Sequence, residues 1–227
     1  MAAAGPRGTQ VHDLCLGAEG TNGVTRLNRR QCEIEVTGYY RQKLKEFGPT
    51  AQGADWTSDS AQLDRFEALT HSLRSDTRIL DFGCGAGDLY RFLSAKGHIG
   101  SYQGFDILEE AVAIASSRYG SHFTGDLGQL VTADHVIASG LFNVKGSASS
   151  TDWQDYIGEL LATMTSLATK SVRFNMLPPV PTVERPRKDL YFVDLNWLFD
   201  LGRELKWQEL RLRPHGQLFD ISFEAWI

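Results

Sequence analysis

The sequence contains little cysteine: Cys15, Cys32 and Cys84 are an odd number without the paired spacing of a zinc site or a disulfide framework. Such usage is typical of a reducing compartment, so we expect a cytoplasmic protein. The sequence also lacks any apolar run near the roughly 20 residues that a membrane-spanning helix needs, and it begins without the apolar stretch of a signal peptide. These absences predict a protein that does not cross a membrane.

Positive charge is in short supply as well. Lys and Arg total 23 against 28 Asp and Glu, which gives a net charge of −5 at pH 7. A mildly acidic surface repels polyanions, so nucleic acid is disfavoured as a partner. Hydrophobic residues make up 42% of the 227 positions, enough to build a full core in a chain of this length. We expect one globular unit, either a monomer or a homodimer.

The chain divides into three regions. Residues 1–35 have little apolar periodicity and are predicted to form a flexible N-terminal arm. Residues 36–75 are predicted to form a helical cap, with one helix from Glu35 to Phe47 and a second after Thr57, separated by the helix-breaking stretch GPTAQGADW. Residues 76–227 are predicted to form the core, so that 36–227 make up a single functional domain.

Within the core, strand-like and helix-like segments alternate, the pattern of a mainly parallel sheet covered by helices on both faces. Strands are expected at 78–82, 101–107, 122–126, 135–142 and 171–177, and then in WQELRLRP and DISFEAWI. Helices are expected at 88–95, 109–119, 153–168 and 193–205. The prolines of PPVPTVERPRKD allow neither a helix nor an interior strand, so a long loop is predicted after the fifth strand.

A glycine-rich turn joins the first predicted strand to its helix in the segment ILDFGCGAGDL. Gly83, Gly85 and Gly87 allow a sharp turn that brings a ligand against backbone N–H groups at a helix N-terminus. A dinucleotide fingerprint would need its last small residue at Asp88, whose carboxylate would repel a pyrophosphate, which disfavours an NAD-dependent oxidoreductase. No Gly-Lys-Ser or Gly-Lys-Thr follows either. A nucleoside without phosphates and with a cationic centre fits the charge better.

Three carboxylates come at the ends of neighbouring predicted strands. Asp81 ends the first strand, Asp106 the second and Asp126 the third. Asp106 comes 19 residues after Gly87, where an acidic side chain can accept hydrogen bonds from ribose hydroxyls. Metal-binding carboxylates usually converge on one point, whereas these spread along a sheet edge, so no metal site is predicted. Such a row suits an elongated ligand.

In these motifs, ILDFGCGAGDL, the acid of GFDI and the GDL after the third strand, the sequence resembles the class I S-adenosylmethionine-dependent methyltransferases. The resemblance covers roughly residues 36–227. It implies an α/β fold with a Rossmann-like, seven-stranded, mostly parallel sheet, an antiparallel last strand, helices on both faces and an N-terminal helical cap. The segments ASGLFNVK and YYRQKLKEFGPTAQGADW also resemble bacterial small-molecule methyltransferases of this superfamily.

The resemblance implies a cofactor, S-adenosyl-L-methionine, its product S-adenosyl-L-homocysteine, and a set of residues that contact them. Gly83, Gly85 and Gly87 would face the methionyl part, with Cys84 as a small loop residue rather than a nucleophile, and Asp81 would help to place the ammonium group. Asp106 would hold the ribose hydroxyls and Asp126 the adenine amine, with Ile107 and Leu127 on the ring faces. Ser139 and Gly140, after the fourth strand, would lie beneath the sulfonium.

Several residues near the predicted site are candidates for binding the methyl acceptor or for catalysis. Tyr39, Tyr40, Lys43 and Trp56 flank the break in the cap, where they form either an aromatic core or a substrate wall. Asn143 and Asn175 follow the fourth and fifth strands and are expected to orient a substrate heteroatom. His215 is a candidate general base in the turn between the last two strands. Arg185, in the long loop, is either a solvated charge or a binding group for an anionic substrate.

Together these features predict an enzyme that methylates a small-molecule metabolite by direct, in-line transfer, as in biosynthesis. Tyr40, Asn143, Asn175 and His215 are the catalytic candidates, and Tyr39, Lys43, Trp56 and Arg185 are the substrate-binding candidates. One alternative is a cyclase or decarboxylase that retains the cofactor, which turnover without donor consumption would reveal. A second alternative is a non-catalytic binding scaffold. It is disfavoured because a scaffold has no physical need of the glycine loop or of Asp106 and Asp126, the two acids expected to contact a nucleoside.

Overall fold

The computed structural model describes residues 27–178, 187–214 and 220–227. Within these ranges helices and strands alternate after two N-terminal helices. The helices are α1 (Arg29–Phe47), α2 (Asp59–Thr70), α3 (Asp88–Ala95), α4 (Glu109–Tyr119), α5 (Ser150–Leu167) and α6 (Leu195–Glu204). The strands are β1 (Ile79–Phe82), β2 (Tyr102–Phe105), β3 (Phe123–Thr124), β4 (Ala133–Ala138), β5 (Ala168–Met176), β6 (Glu209–Pro214) and β7 (Ile221–Trp226).

The described strands form one seven-stranded sheet in the order β3-β2-β1-β4-β5-β7-β6. Parallel pairing joins β3, β2, β1, β4 and β5, whereas β7 is antiparallel to both β5 and β6. The last strand is therefore inserted antiparallel between the fifth and sixth. This confirms the predicted α/β, Rossmann-like fold, with the carboxyl ends of the parallel strands at one edge.

Two apolar clusters cover the two faces of the sheet. Along β1, Ile79 belongs to one cluster and Leu80 to the other, as expected because successive side chains of a strand point to opposite faces. Helix α5 packs Trp153 and Leu161 into the larger cluster, and α2 packs Leu69 into the smaller one. The sheet is therefore buried on both sides, which explains why its central strands read as apolar runs.

Two predicted boundaries differ from the structure by four residues or more. Helix α1 begins at Arg29, six residues before Glu35, because Asn28 accepts a hydrogen bond from the Gln31 N–H while the Gln31 side chain accepts one from the Asn28 N–H. Residues 29–35 are thus helical rather than part of an arm, and residues 1–26 lie outside the described part of the chain. Strand β4 ends at Ala138 instead of 142, because the chain turns at Gly140, where φ is +77°.

Among the described helices, none is both long enough and apolar enough to cross a membrane.

Candidate functional site

A cavity lies where the carboxyl ends of β1, β2 and β4 meet α1 and α2. Residues 83–86 and Asp88 of the glycine loop line it, as does Asp106 beside that loop, whereas Gly87 is not part of the lining. Tyr40 of α1 and Trp56, between α1 and α2, line the opposite side. The cavity therefore lies at the sheet edge where open α/β folds bind ligands, closed over by the N-terminal helices.

The glycine loop has a backbone conformation that residues with a side chain rarely adopt. Gly83, Gly85 and Gly87 have φ angles of +87°, +52° and +84°. The N–H groups of Gly83 and Cys84 both donate to the Phe105 carbonyl, at 2.7 and 2.9 Å, which fixes the loop to β2. A Cβ at Gly83 or Gly87 would meet a neighbouring side chain at 2.9 Å, whereas a Cβ at Gly85 would meet nothing within 4 Å. Gly85 therefore faces open space.

This difference predicts unequal effects of alanine at two neighbouring loop positions. Gly87→Ala combines a left-handed backbone with a clash against Tyr119, so we expect the free energy of unfolding to fall by about 2–4 kcal/mol. Gly85→Ala has only the backbone cost, about 1–2 kcal/mol. Urea denaturation of both variants measures the difference, and an equal or larger loss for Gly85→Ala would contradict this assignment of the open side.

Asp106 connects the end of β2 to the glycine loop. One carboxylate oxygen accepts a hydrogen bond from the Gly85 N–H and the other from the Leu108 N–H, both at 2.8 Å. Burial raises the pKa of Asp106, and the two backbone donors oppose that shift. A carboxylate has about four acceptor positions, so this group can accept further hydrogen bonds from a ligand in the cavity.

Asp81, 2% exposed, lies behind the loop at the end of β1. The Tyr102 hydroxyl donates to it at 2.5 Å. Burial raises the pKa of Asp81 to about 7, against the lowering effect of the Tyr102 hydrogen bond, and the nearby Asp106 and Asp88 raise it further. A positive group in the cavity would reverse much of that shift, because it favours the charged form of the carboxylate.

The turn after β4 supplies another wall of the cavity. Ser139 lines the cavity, and its buried hydroxyl has no hydrogen-bond partner in the described part of the chain. A Cβ at Gly140 would lie 2.7 Å from the Trp56 ring, so only glycine lets the indole approach this closely. The turn therefore presents an unpaired hydroxyl beside a backbone held close to an aromatic ring.

The predicted adenine end has apolar surface on two sides. Ile107 and Leu127 line the cavity while remaining 39% and 42% exposed. Asp126 is exposed and caps a short 3₁₀ turn by accepting from the Gly128 N–H at 2.8 Å, and it is not part of the cavity lining. Contact between Asp126 and adenine stays a prediction, whereas the capping role is visible.

Of the predicted cap residues, Tyr40 and Trp56 line the cavity. The Tyr40 hydroxyl lies 3.5 Å from the Gly140 carbonyl oxygen, and burial raises the Tyr40 pKa well above its usual range. This phenol stays neutral at physiological pH, so it can donate a hydrogen bond but is not a ready general base.

Tyr39 and Lys43, the other two cap residues, are not part of the cavity lining, so their contact with a substrate stays a prediction. The Tyr39 hydroxyl donates to Asp55 at 2.7 Å, and the Lys43 ammonium pairs with the same carboxylate at 2.9 Å. Arg187 adds hydrogen bonds to Tyr39 and Asp55, which ties the chain after β5 to α1. Their polar groups therefore bind one another outside the cavity lining.

The two predicted asparagines also lie outside the cavity lining. Asn175 is 1% exposed, accepts from the Gly140 N–H at 2.8 Å and donates to Asp220 at 2.5 Å, so its amide is bound to the protein and buried away from a substrate. The Asn143 amide oxygen accepts from the Leu177 N–H at 3.2 Å, which joins the turn after β4 to the end of β5. Neither residue lines the cavity. Both shape its wall from behind.

The remaining predicted positions divide into two groups. His215 and Arg185 lie outside the described residues. Cys84 lines the cavity, but burial raises its pKa well above the usual value, which matches a small loop residue rather than a thiolate nucleophile. Within the described ranges, no group of three or more His, Cys, Asp or Glu side chains is arranged to hold a metal ion.

Helix α2 contributes residues that sequence reasoning missed. Gln62 and Phe66 line the cavity, and Arg65 is 8% exposed behind it. The available signal was their spacing, since 62, 65, 66 and 69 share one helical face in which two polar residues accompany two apolar ones. Leu63, on another face of α2, is 38% exposed. Polar residues on a buried helix face indicated contacts to other buried polar groups.

Comparison with known proteins finds one close curated relative. The chain is 33% identical over 127 residues to "Putative methyltransferase Rv1506c" of Mycobacterium tuberculosis, a match that spans 54% of this chain and 76% of the relative. No protein-family model matches the sequence.

Solved structures share the fold at low sequence identity. The 1,6-didemethyltoxoflavin-N1-methyltransferase of Burkholderia thailandensis, solved with 1,6-didemethyltoxoflavin and S-adenosylhomocysteine, superposes with a TM-score of 0.58 at 16% identity and covers 90% of this chain and 92% of its own. The magnesium protoporphyrin IX methyltransferase of Synechocystis PCC 6803, solved with S-adenosylhomocysteine, gives a TM-score of 0.51 at 18% identity, over 90% of each chain.

Proposed function

The chain belongs to the class I methyltransferases, and we propose from this that it binds S-adenosylmethionine in the described cavity and methylates a small molecule by direct transfer. The observation that carries the proposal is the Asp106 carboxylate, held by the Gly85 and Leu108 N–H groups at the cavity wall with acceptor positions remaining. A ribose presents two neighbouring hydroxyl donors, which such a carboxylate can accept together.

Three further observations fit this cofactor. The space beside Gly85 is open, so a ligand can approach the loop backbone closely. The Ser139 hydroxyl is buried and unpaired within the described residues, which suits a polar ligand because buried polar groups are normally hydrogen-bonded. The lining carboxylates Asp81, Asp88 and Asp106 suit a ligand that carries positive charge.

We assign the cofactor-contacting residues on this basis. Gly83, Gly85 and Gly87 would lie along the methionyl part, and Asp81 would face its ammonium through the loop. Asp106 would hold the ribose, with Ile107 and Leu127 against the adenine and Asp126 near its amine. Ser139 and Gly140 would lie at the sulfonium, where Trp56 and Tyr40 close the other side.

When bound, S-adenosylmethionine would supply an activated methyl group, which passes to a nucleophilic acceptor while the sulfur leaves as the neutral thioether of S-adenosylhomocysteine. The protein has to align the acceptor with the methyl group and exclude water. It also has to keep other groups out of the line along which the acceptor attacks the methyl carbon. Tyr40 and Trp56 line the Gly140 side of the cavity, where they would exclude water. The single Tyr40 O–H donates to the Gly140 carbonyl, so its oxygen can orient a methyl acceptor by accepting a hydrogen bond. This arrangement suits acceptors that are already nucleophilic and need little acid–base help.

The acceptor proposed here is neutral rather than anionic. Lys43 and Arg187, two cations that would receive an anion, are engaged with Asp55. Arg29 lines the cavity but pairs with Glu33 at 2.8 Å and Glu159 at 3.3 Å. With acidic groups at the cofactor end of the cavity, an anionic acceptor would be repelled.

The test is methyl transfer from S-adenosyl-[methyl-¹⁴C]methionine to paired acceptors that differ only in a carboxylate or its ester. We expect the neutral partner of a pair to be methylated about tenfold faster or more, since burying an unpaired anion near carboxylates is costly. A consistent preference for the carboxylates would contradict the neutral assignment. Product formation without consumption of the donor would instead indicate the alternative enzyme that retains its cofactor.

A further inference from the structure

A ring of contacts runs behind the cavity wall and returns to it. The Gly140 N–H donates to the Asn175 side-chain oxygen at 2.8 Å, and the Asn175 amide nitrogen donates to Asp220 at 2.5 Å. The same Asp220 oxygen accepts from Arg65 at 2.6 Å. The Arg65 guanidinium stacks on the Trp56 ring with 4.6 Å between its carbon and the ring centroid, and Trp56 packs against Gly140.

The ring joins elements that are distant in the sequence. Arg65 belongs to α2 and Asn175 to β5, and Asp220 immediately precedes β7. Asp220, Asn175 and Arg65 are 3%, 1% and 8% exposed. A buried carboxylate is costly unless it is paired and hydrogen-bonded, and here one oxygen is shared by a guanidinium and an amide. The other Asp220 oxygen is buried without a hydrogen-bond partner in the described part of the chain, so the contacts to Arg65 and Asn175 are the ones that compensate the burial of this carboxylate.

Two members of this ring form part of the cavity wall. Gly140 and Trp56 line the cavity, whereas Asn175 and Asp220 lie behind that wall and the Arg65 guanidinium lies over the Trp56 ring. The Gly140 carbonyl, on the same residue that Asn175 holds, is the group nearest the Tyr40 hydroxyl, at 3.5 Å. The position of the wall is therefore set by the asparagine–aspartate–arginine unit and not by the turn alone.

We propose that Arg65, Asn175 and Asp220 are positioning residues for methyl transfer, which hold Gly140 and Trp56 against the methyl-bearing side of the bound cofactor. The inference rests on the proposed function, since it concerns the same cavity. If the inference is correct, a substitution among Arg65, Asn175 and Asp220 must change the contribution of the methylsulfonium to binding. The other contacts between the protein and the cofactor must stay largely intact.

The test compares S-adenosylmethionine with S-adenosylhomocysteine, which differ at the sulfonium. Asn175→Asp removes the donor to Asp220 and puts two carboxylates side by side. We expect its affinity for S-adenosylmethionine to change about fivefold or more relative to that for S-adenosylhomocysteine, because a buried hydrogen bond is broken behind the wall. The resonance of bound S-adenosyl-[methyl-¹³C]methionine should also move, because the Trp56 ring current acts on nearby nuclei.

A double variant provides the rescue. In Asn175→Asp/Asp220→Asn one carboxylate and one amide again face Arg65 and Gly140, so both readouts should return most of the way to wild type. If Asn175→Asp does not fold, Arg65→Lys keeps the positive charge at Asp220 but removes the guanidinium that lies over the Trp56 ring. It should change the affinity ratio and the methyl resonance in the same experiment, and a folded Arg65→Lys variant with both unchanged would contradict the proposal.

Ser171→Ala is the matched control. Ser171 is a fully buried polar residue of the same strand, it bonds His135 at 2.8 Å, and it does not line the cavity. Its loss should lower thermal stability without altering the affinity ratio or the methyl resonance. If Asn175→Asp behaves like Ser171→Ala, the unit is structural only and the proposal is wrong. If the wild type binds neither ligand, the proposed function itself fails, which is a different result.

Discussion

Asp106→Ala is expected to weaken S-adenosylmethionine binding by about a hundredfold or more. The substitution removes the proposed ribose acceptor and also frees the Gly85 and Leu108 N–H groups, so the loop loses the carboxylate that fixes it. Hydrogen bonds to a charged group contribute about 1.5–3 kcal/mol each, so the loss of two ligand contacts alone reaches this size. Isothermal titration calorimetry measures the dissociation constant directly.

Asp126→Ala is the matched control for that variant. Asp126 also follows a strand of the predicted carboxylate row, but it is exposed and outside the cavity lining. We expect its removal to weaken binding by less than about tenfold, the effect of one solvent-exposed hydrogen bond. Equal losses for the two variants would contradict the central place given to Asp106.

Asp81→Asn is expected to change the pH dependence of stability. Burial raises the pKa of the native Asp81 carboxyl to about 7, against 3.8 for an unperturbed Asp, so the folded protein holds a proton that the unfolded chain has released. Stability from this group is fully present below pH 3.8 and is lost as pH rises through 7. Between pH 5 and pH 8 the wild type should lose about 3 kcal/mol relative to Asp81→Asn.

Urea denaturation at pH 5, 6, 7 and 8 tests this comparison. The difference in free energy of unfolding between the two proteins should change up to about pH 7 and then level off. Saturating S-adenosylmethionine should reduce the pH-dependent loss in the wild type, because an ammonium near Asp81 favours its ionised form. Parallel pH profiles without ligand would contradict the burial-driven shift.

The alternation of strands and helices and the glycine loop could be predicted because local patterns determine them. The α3 and α4 boundaries, Asp88–Ala95 and Glu109–Tyr119, match the prediction, since apolar periodicity and glycines or acidic first turns define those helices. The β4 end was missed because the apolar residues Leu141 and Phe142 continue past the turn. Tertiary packing rather than strand pairing buries Phe142 fully and Leu141 partly.

The residues behind the cavity wall could not be predicted from position in the sequence. Asn175, near the carboxyl end of its strand, was expected to open to the ligand, but its amide donates to Asp220, 45 residues further on. Tyr39 and Tyr40 are neighbours on one helix, yet the rotation of about 100° per residue sends one hydroxyl to Asp55 and the other toward Gly140. Only tertiary contacts distinguish such pairs.

The central claim is that the cavity at the carboxyl edge of the sheet binds S-adenosylmethionine through Asp106 and the glycine loop. Calorimetric titration of the wild-type protein with S-adenosylmethionine and S-adenosylhomocysteine tests it most directly. We predict one site per chain for each ligand, with binding lost in Asp106→Ala and retained in Asp126→Ala. Absence of binding by the folded wild type, or undiminished binding by Asp106→Ala, would contradict the account.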